Sequence, residues 1–424
     1  MNMRRLIIFS AFFLVYGSVF SQESVLAKIT VEAGLTDRVN TPVSVSLDQV
    51  VYSPDQPIKL VEVNGKEKQV VPHQVEKGLY PRLWFILTGN TARGKKRSFE
   101  LIEGASSSPE SKMVTFKKDQ KSLVLLNGKS KVLEYVHEET PPPPGQDILF
   151  TRSAYIHPLW SPSGFELTTI HPADHIHHMG IWNPWTKTKF EGREIDFWNL
   201  NKGQGTVKFA DYISHYNGNI YGGFKALHKH IDLTAPHPDG EKAAMQEVWD
   251  VRVYDVGGAS EGYFLVDFIS TLNCASDSPI VLEEYRYAGF GYRANEYWTN
   301  QNSEVLTSEG KDRKEADATR ARWCKVSGDT PSGGKAGIVF MSHPENHTHP
   351  EAMRVWPVDA NNGRGDVFFQ FCPIRDSDWP LETGQEYVLR YRMFVFDGET
   401  DASTSERLWQ DFAHPPVVTI TPAS

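Results

Sequence analysis

Residues 245–254 read Met-Gln-Glu-Val-Trp-Asp-Val-Arg-Val-Tyr. The odd-numbered positions of this run carry apolar side chains, except for Glu247. A period of two is typical of a β-strand with one buried face. Similar runs recur along the chain, whereas no long stretch has the 3.6-residue period of an amphipathic helix. The sequence therefore predicts an all-β protein.

Two sizes of strand divide the chain. Six short runs between residues 28 and 102 suit a small β-sandwich, and the longer runs that follow indicate large stacked antiparallel sheets. A small, polar segment without periodicity separates the two groups. We predict an accessory β-sandwich over residues 22–104, a linker over 105–113 and a large domain over 114–424. For the large domain a mutarotase-like β-supersandwich is preferred, and a jelly roll is the alternative.

The start of the chain has the organisation of an export signal. Arg4 and Arg5 precede an apolar run from Leu6 to Phe20, which small or neutral residues follow. A signal peptide has such a positive start and short apolar core, whereas a spanning helix needs about 20 apolar residues without breaks. We predict a signal peptide over residues 1–21 and a soluble periplasmic or secreted protein without a membrane span.

Charge and cysteine content argue against several classes of protein. The 44 basic and 53 acidic residues give a net charge of -9, which is the wrong sign for neutralising a phosphate backbone. Cys274, Cys324 and Cys372 lie far apart in the sequence and allow at most one disulfide. We expect no nucleic-acid partner and no fold built on disulfides.

Histidines are concentrated in one part of the chain. Five of the 15 fall within residues 157–178, where the segment 174–178 reads Asp-His-Ile-His-His. Imidazole titrates near neutral pH, so a histidine beside a carboxylate can take a proton from, or give one to, a sugar hydroxyl or leaving group. We therefore assign His175, His177 and His178 as candidate catalytic residues.

Alternation along the backbone separates these candidates further. If residues 174–178 are extended, His175 and His177 point to one side of the strand, and Asp174 and His178 point to the other. Only one of the two sets would then face the site. The interpretation favours His175 with His177, because apolar Ile lies on the opposite face.

The same segment also suits a metal ion. Imidazole is a common ligand of zinc, copper and iron, and a neighbouring carboxylate can bind the metal or orient a ligand histidine. This hypothesis assigns one divalent metal ion to His171, Asp174 and His175. A third interpretation is that several of these histidines only bind the backbone of a buried loop.

Side chains suited to sugars follow the histidines. Sugar rings stack on indoles, and hydroxyl groups bind carboxylates, amides and guanidinium groups. Glu247 and Glu284 lie on otherwise apolar strand faces, where a carboxylate must be paired or line a cavity, and Glu284 is the candidate catalytic partner. Tryptophans that pin a loop and an ion pair between Glu284 and Arg286 remain structural alternatives. The candidate substrate-binding residues are Trp182, Arg193, Trp198, Glu247, Arg286, His343 and Arg354.

Several motifs resemble one known family, the secreted bacterial proteins catalogued as PmoA-type "methane oxygenase" and later as a domain of unknown function. The resemblance covers residues 115–415 and implies a place among carbohydrate-utilisation proteins of Bacteroidota. It implies neither methane as substrate nor its oxidation, since methane monooxygenase subunits are embedded in membranes. The motifs are Tyr155-Ile-His-Pro-Leu159, Ser161-Pro-Ser-Gly164, His171-Pro-Ala-Asp-His-Ile-His-His-Met-Gly-Ile-Trp182 and Asp196-Phe-Trp198.

These observations predict a secreted carbohydrate-active enzyme, either a glycoside hydrolase or a lyase, that acts on plant or algal glycans. The expected partner is a glycan or oligosaccharide substrate. Two alternatives remain open at this point, a glycan-binding protein without catalytic activity and a divalent-metal redox protein.

Overall fold

The computed structural model describes residues 24–53, 57–104, 113–236 and 241–423. The regular structure in these ranges is almost entirely β-strand, which confirms the all-β prediction. No helix within them is long and apolar enough to cross a bilayer. The predicted signal peptide, residues 1–21, and residues 105–112 of the predicted linker lie outside the described ranges.

A small β-sandwich contains both the first strands and the last strand of the described chain. Its two sheets pack face to face around one apolar core. The six strands predicted here are confirmed, and the short β5 is an addition. The strands are β1 (Val25–Glu32), β2 (Arg38–Ser46), β3 (Ile58–Asn64), β4 (Glu67–Val71), β5 (His73–Glu76), β6 (Arg82–Thr91), β7 (Lys96–Glu103) and, from the far end of the chain, β28 (Val417–Pro422). The sheet orders are β28-β1-β7-β3-β4 and β2-β6-β5.

Strand β28 departs from the predicted domain boundary. It pairs antiparallel with β1, and its Val418 and Ile420 pack against the core of the small sandwich. An unpaired edge would leave a row of backbone donors and acceptors open, and β28 covers that edge of β1. The small domain therefore comprises residues from both ends of the described chain, and the large domain ends before residue 417 rather than at 424.

The large domain is a β-supersandwich, as predicted. Two eight-stranded antiparallel sheets enclose its core, in the orders β24-β25-β20-β12-β11-β10-β9-β8 and β15-β16-β17-β18-β27-β23-β22-β21, and a four-stranded sheet β14-β13-β19-β26 lies beside them. The strands are β8 (Val114–Lys118), β9 (Ser122–Asn127), β10 (Ser130–Val136), β11 (Tyr155–Leu159), β12 (Ile181–Trp182), β13 (Thr188–Phe190), β14 (Arg193–Ile195), β15 (Gly205–Tyr216), β16 (Tyr221–Asp232), β17 (Lys242–Tyr254), β18 (Tyr263–Cys274), β19 (Ile280–Leu282), β20 (Gly291–Arg293), β21 (Ser303–Thr307), β22 (Trp323–Asp329), β23 (Lys335–Ser342), β24 (Ala352–Val355), β25 (Phe368–Cys372), β26 (Trp379–Leu381) and β27 (Tyr387–Asp397).

One α-helix, α1 (Ala402–Ala413), interrupts this β-structure within the described ranges. It begins after Asp401, whose carboxylate accepts a hydrogen bond from the backbone N–H of Thr404 at 2.7 Å. Trp409 of α1 donates its indole N–H to a carbonyl of β23 at 2.9 Å. Buried Asp411 binds Arg38 of the small sandwich at 2.9 Å. The helix thus contacts both domains, and it was not among the predicted elements.

Strand β19 is too short to include Glu284, which was predicted to lie on an apolar strand face. It ends at Leu282, after which the backbone N–H of Glu284 donates to the Asp378 carboxylate at 2.7 Å instead of to a neighbouring strand. Residues 283–290 consequently form a loop. Glu284 and Arg286 do not share a strand face, and Arg286 is carried to the edge of the sheet.

Candidate functional site

The histidine-rich segment forms two consecutive turns. The backbone N–H of His175 donates to the carbonyl of Pro172 at 3.1 Å, and that of His178 donates to the carbonyl of His175 at 2.9 Å. The N–H of His171 closes the loop on the carbonyl of His178 at 2.9 Å. His171 also braces the loop from inside, because its Nδ1 lies 2.8 Å from the carbonyl oxygen of Ile176.

Gly180 fixes the end of this loop against the sheet. Its φ of 61° is one that L-residues rarely adopt, and a Cβ at this position would collide with the carbonyl oxygen of Ile156. The Gly180 N–H donates to Thr169 at 2.9 Å, and its carbonyl accepts from the N–H of Arg293 at 2.8 Å. The loop is therefore held by strands on both sides.

The turns bring three imidazoles together. Ring centroids lie 4.8 Å apart for His175 and His178, 4.9 Å for His177 and His178, and 5.6 Å for His175 and His177. The prediction that His178 faces away from His175 and His177 is therefore wrong. It assumed an extended segment, whereas turns bend the chain so that neighbouring side chains converge.

These histidines line a pocket of about 200 Å³. Its walls come from several distant parts of the large domain: the histidine loop, the segment after β14, the loop after β19, and the β24 and β25 region. Of the predicted residues, six line it together. The lining residues are His175, His177, His178, Trp198, Asn199, Arg286, Tyr287, Arg354, Trp356 and Phe368.

Asp174 holds one of the imidazoles in place. Its Oδ2 lies 3.0 Å from Nδ1 of His175, and Arg293 donates to both of its oxygens at 3.0 and 2.8 Å. Burial alone would raise the pKa of Asp174, but the His175 hydrogen bond and the charge of Arg293 lower the pKa to about 2. The carboxylate is thus ionised, and it fixes an Nδ1–H tautomer that leaves Nε2 of His175 as a proton acceptor.

The other two imidazoles are neutral at physiological pH. Burial lowers the pKa of His177 to about 3, with a smaller contribution from the positive charge of Arg152. Burial also lowers the pKa of His178 well below its usual value. Nδ1 of His178 is buried without a hydrogen-bond partner among the described residues. Both rings can therefore accept or donate hydrogen bonds but add no charge to the pocket.

Two arginines give the pocket its charge. Arg354 donates to Asp317 at 2.6 Å, and Asp317 also lies 4.0 Å from Arg375. Arg286 is exposed, and its guanidinium group lies 5.5 Å from the centre of the Tyr287 ring. No Asp or Glu is among the residues that line the pocket in the described structure. The lining therefore carries positive charge without a carboxylate of its own.

Asp196 positions the wall formed by Trp198 and Asn199. Its Oδ1 accepts hydrogen bonds from the backbone N–H groups of Trp198 and Asn199 at 2.8 and 2.9 Å, and its Oδ2 accepts one from the Asn199 side-chain amide at 2.7 Å.

Tyr287 lines the same pocket. Burial raises the pKa of Tyr287 to about 12, and a hydrogen bond with Tyr285 raises it further. Tyr287 is therefore a protonated hydroxyl at the pocket.

The predicted metal set is not assembled. Both oxygens of Asp174 are engaged by Arg293 and His175, and Nδ1 of His171 faces the loop backbone. In the part of the chain that the structure describes, no group of three or more His, Cys, Asp or Glu side chains is arranged to hold a metal ion. Residues 171 and 174 instead shape the loop that presents the histidines.

Two predicted substrate-binding residues lie outside the pocket. Trp182 is completely buried beneath it, with its ring 5.2 Å from that of His178, so it offers no free face for a sugar. Arg193 lies at another edge, where it binds Asp232 at 2.6 Å and Glu191 at 3.3 Å. Trp182 supports the pocket floor, and Arg193 forms a separate ion-pair cluster.

Three further candidates also lie elsewhere. Glu247 is buried in the core and paired with His230 at 2.9 Å. The carboxylate is therefore paired, as expected for its strand face, but Glu247 is not among the residues that line the pocket. Glu284 is exposed and does not line the pocket. His343 packs beside Phe412 of α1, with a ring separation of 5.1 Å. No carboxylate partner of the predicted kind therefore reaches the histidines.

Four lining residues were not predicted to form the site, namely Asn199, Tyr287, Trp356 and Phe368. Asn199 and Tyr287 directly follow predicted site residues, and Trp356 lies two positions after Arg354, so neighbourhood in sequence was a usable signal for them. Phe368 has no such signal. It reaches the pocket only because β25 lies beside β20 in the folded sheet.

Residues 122–410 match the model of a protein family described as a family of unknown function (DUF6807). No curated protein matches the sequence.

Two solved structures are similar to the chain at 10% sequence identity. One is an alpha-mannosidase from Enterococcus faecalis V583, for which the match covers 94% of this chain and 46% of that chain with a TM-score of 0.46. The other is a protein in the Glycosyl Hydrolase Family 38 from Enterococcus faecalis, with 94% and 47% covered and a TM-score of 0.43. The chain thus spans about half the length of the solved structures it matches.

Proposed function

We propose that this chain, which belongs to the family of unknown function DUF6807, is a carbohydrate-active enzyme whose histidine pocket transfers protons on a glycan. The observation that carries the proposal is the hydrogen bond between Asp174 and His175 at the wall of this pocket. A carboxylate on Nδ1 makes Nε2 of His175 the base and stabilises the imidazolium that forms when it takes a proton. Arg293 keeps the carboxylate in place.

The rest of the lining supports a sugar as substrate. Tyr287 is a half-buried aromatic residue of the lining, and Trp198 and Trp356 contribute the small exposed parts of otherwise buried rings, while Asn199 and the neutral His177 supply hydrogen-bonding groups for hydroxyls. The lining thus joins aromatic side chains to several polar groups that can fix the orientation of a ligand.

Between the two reaction types, the pocket favours a lyase over a glycoside hydrolase. Most glycoside hydrolases use a pair of Asp or Glu side chains on either side of the scissile bond. The described lining contains neither residue type, and Asp174 is fully occupied by Arg293 and His175. A histidine base and a tyrosine hydroxyl that line the same pocket suit proton abstraction and elimination instead.

We also propose export of the protein through the signal peptide at residues 1–21, which would place the pocket in the periplasm or outside the cell. The resemblance to the PmoA-type proteins stays a prediction.

A non-catalytic glycan-binding protein is the second candidate function. The aromatic and arginine side chains of the lining favour it, since they would bind a sugar without any proton transfer.

The deciding experiment is turnover of plant and algal oligosaccharides by the mature chain, followed by mass spectrometry of the products. We expect His175→Ala to abolish turnover and to keep glycan binding, because the ring lies at the wall and not in the core. His215→Ala, on an exposed strand position far from the loop, is the matched control and should behave as wild type. Saturable binding without any product from the wild type would favour the second candidate.

A further inference from the structure

We infer that the pocket recognises a carboxylate on the sugar, so that its substrate is a uronic-acid glycan bound through Arg286 and Arg354. This inference rests on the proposed function, since it names the substrate class of the same site. It depends on where positive charge lies in the pocket and on which residues neutralise that charge.

Arg286 is the unneutralised cation of the pocket. Within the described ranges its guanidinium group makes no ion pair, and its contact is the face of Tyr287 at 5.5 Å. Its backbone is nevertheless fixed, because Arg375 donates to the Arg286 carbonyl at 2.8 Å. A fixed arginine with free donors at a pocket wall is suited to a planar carboxylate, which it can bind through two parallel hydrogen bonds.

Arg354 adds a second, partly satisfied cation. Only its Nη1 donates to Asp317, at 2.6 Å, and the same carboxylate also lies 4.0 Å from Arg375. One aspartate therefore serves two guanidinium groups. Arg354 is itself one of the lining residues of the pocket.

Nothing in the lining competes with an anionic ligand. The histidines His177 and His178 are neutral, and both oxygens of Asp174 are engaged by Arg293 and His175. Aromatic side chains such as Trp356 border the site, while Arg286 is exposed to solvent, so its attraction for an anion relies on paired hydrogen bonds as well as on charge. A neutral sugar would leave Arg286 with no partner of opposite charge in this environment.

A bound uronate makes elimination chemically possible. Nε2 of His175 removes the proton at C5, which the carboxylate makes acidic and whose developing negative charge Arg286 and Arg354 stabilise. The electron pair of the C5–H bond forms a C4=C5 double bond, and the C4–O4 bond breaks. The departing O4 takes a proton from the Tyr287 hydroxyl, and water then transfers the proton of His175 back to Tyr287.

The test compares three matched ligands for the full mature chain. They are uronate oligosaccharides, the same oligosaccharides after reduction of the carboxyl to a primary alcohol, and oligosaccharides whose only charged group is a sulfate. We measure binding by calorimetry and elimination by the ultraviolet absorbance of the unsaturated uronate. We expect binding and elimination only for the uronates. Arg286→Ala should weaken uronate binding by about tenfold or more, since a charge-assisted hydrogen bond is lost, and Arg286→Lys should restore part of it.

Arg82→Ala is the control, because Arg82 is exposed on the small sandwich and its loss should change nothing. Equal turnover of reduced and native oligosaccharides, followed by mass spectrometry because a reduced residue cannot yield an unsaturated uronate, would overturn the inference and leave the proposed enzyme intact. Preference for the sulfated ligand would also overturn it. Tight uronate binding that needs Arg286 but yields no product would retain the recognition and overturn the proposed catalysis.

Discussion

Asp174 and His175 are neighbours in the chain whose side chains also touch, with Oδ2 of one 3.0 Å from Nδ1 of the other. Adjacent residues of an extended strand cannot make this contact, because their side chains point to opposite faces. The turn at residues 172–175 allows it, and Arg293 holds the carboxylate from the other side. The catalytic pair of the proposal is therefore a product of loop geometry.

Asp174→Asn should lower kcat by at least about tenfold with a smaller change in KM. The amide removes the negative charge that stabilises the His175 imidazolium, while its size and its place beside Arg293 are kept. Steady-state kinetics on the substrate that wild type converts would measure the effect. Asp211→Asn, on an exposed strand, is the control, and equal kcat values for all three proteins would contradict the role given to Asp174.

Arg293→Met should lower the free energy of unfolding by about 3–5 kcal/mol, because Arg293 is buried and forms ion pairs with both Asp174 and Asp366. Urea denaturation followed by fluorescence would measure this loss. Adding Asp174→Asn to Arg293→Met should recover part of the stability, since the unpaired charge is then removed. Strictly additive losses in the double variant would show that the two side chains are not coupled.

His177 should make stability depend on pH. Burial lowers the pKa of His177 from 6.5 to about 3. Below pH 6.5 the His177 ring is therefore protonated in the unfolded chain but stays neutral in the folded chain. The stability contributed by the neutral ring is complete above pH 6.5 and is lost as the pH falls toward 3. Between about pH 6 and pH 4, wild type should lose up to about 1.4 kcal/mol per pH unit more than His177→Gln.

Chemical denaturation at a series of pH values would test this dependence. His215→Gln provides the comparison, because His215 is exposed and its removal should leave the slope of wild type. Parallel slopes for wild type and His177→Gln would mean that the ring is accessible to protons in the folded protein.

Ile420→Asp should destabilise the small sandwich, whereas Thr419→Asp should not. Ile420 packs against the core of that domain, and Thr419, next in the same strand, faces solvent. Placing a charge in the core costs several kcal/mol, while a charge on the outer face costs little. Limited proteolysis within residues 24–104 would report the difference, and equal protection of both variants would contradict the packing of β28.

Much of the fold follows from local patterns in the sequence. Period-two runs give the strands of the small sandwich and most of β17, where the run at residues 245–254 lies within Lys242–Tyr254, because alternation directly reflects burial of one strand face. The run after Ile280 was misleading. Its side chains alternate, but the hydrogen bond from Glu284 to Asp378 turns the chain away from the sheet.

The candidate site was only partly predictable. The histidine density marked the correct loop, and Trp198, Arg286 and Arg354 proved to lie at the same pocket. Residues such as Glu247 were misplaced, since sequence shows that a buried carboxylate needs a partner but not which side of the sheet supplies it. Phe368 lies at the pocket because β25 is next to β20 in the sheet. The order of strands in a sheet cannot be predicted from a single sequence.

Strand β28 also sets an order of events during synthesis. It emerges from the ribosome after every other strand of the described structure, yet it completes a sheet whose remaining strands emerge first. About 300 residues of chain separate the first strands of the small sandwich from β28, so β1 keeps an unpaired edge until they have been synthesised. Assembly of this domain is therefore the last step of vectorial folding and not the first. A fragment that stops at residue 104 lacks one of its own strands.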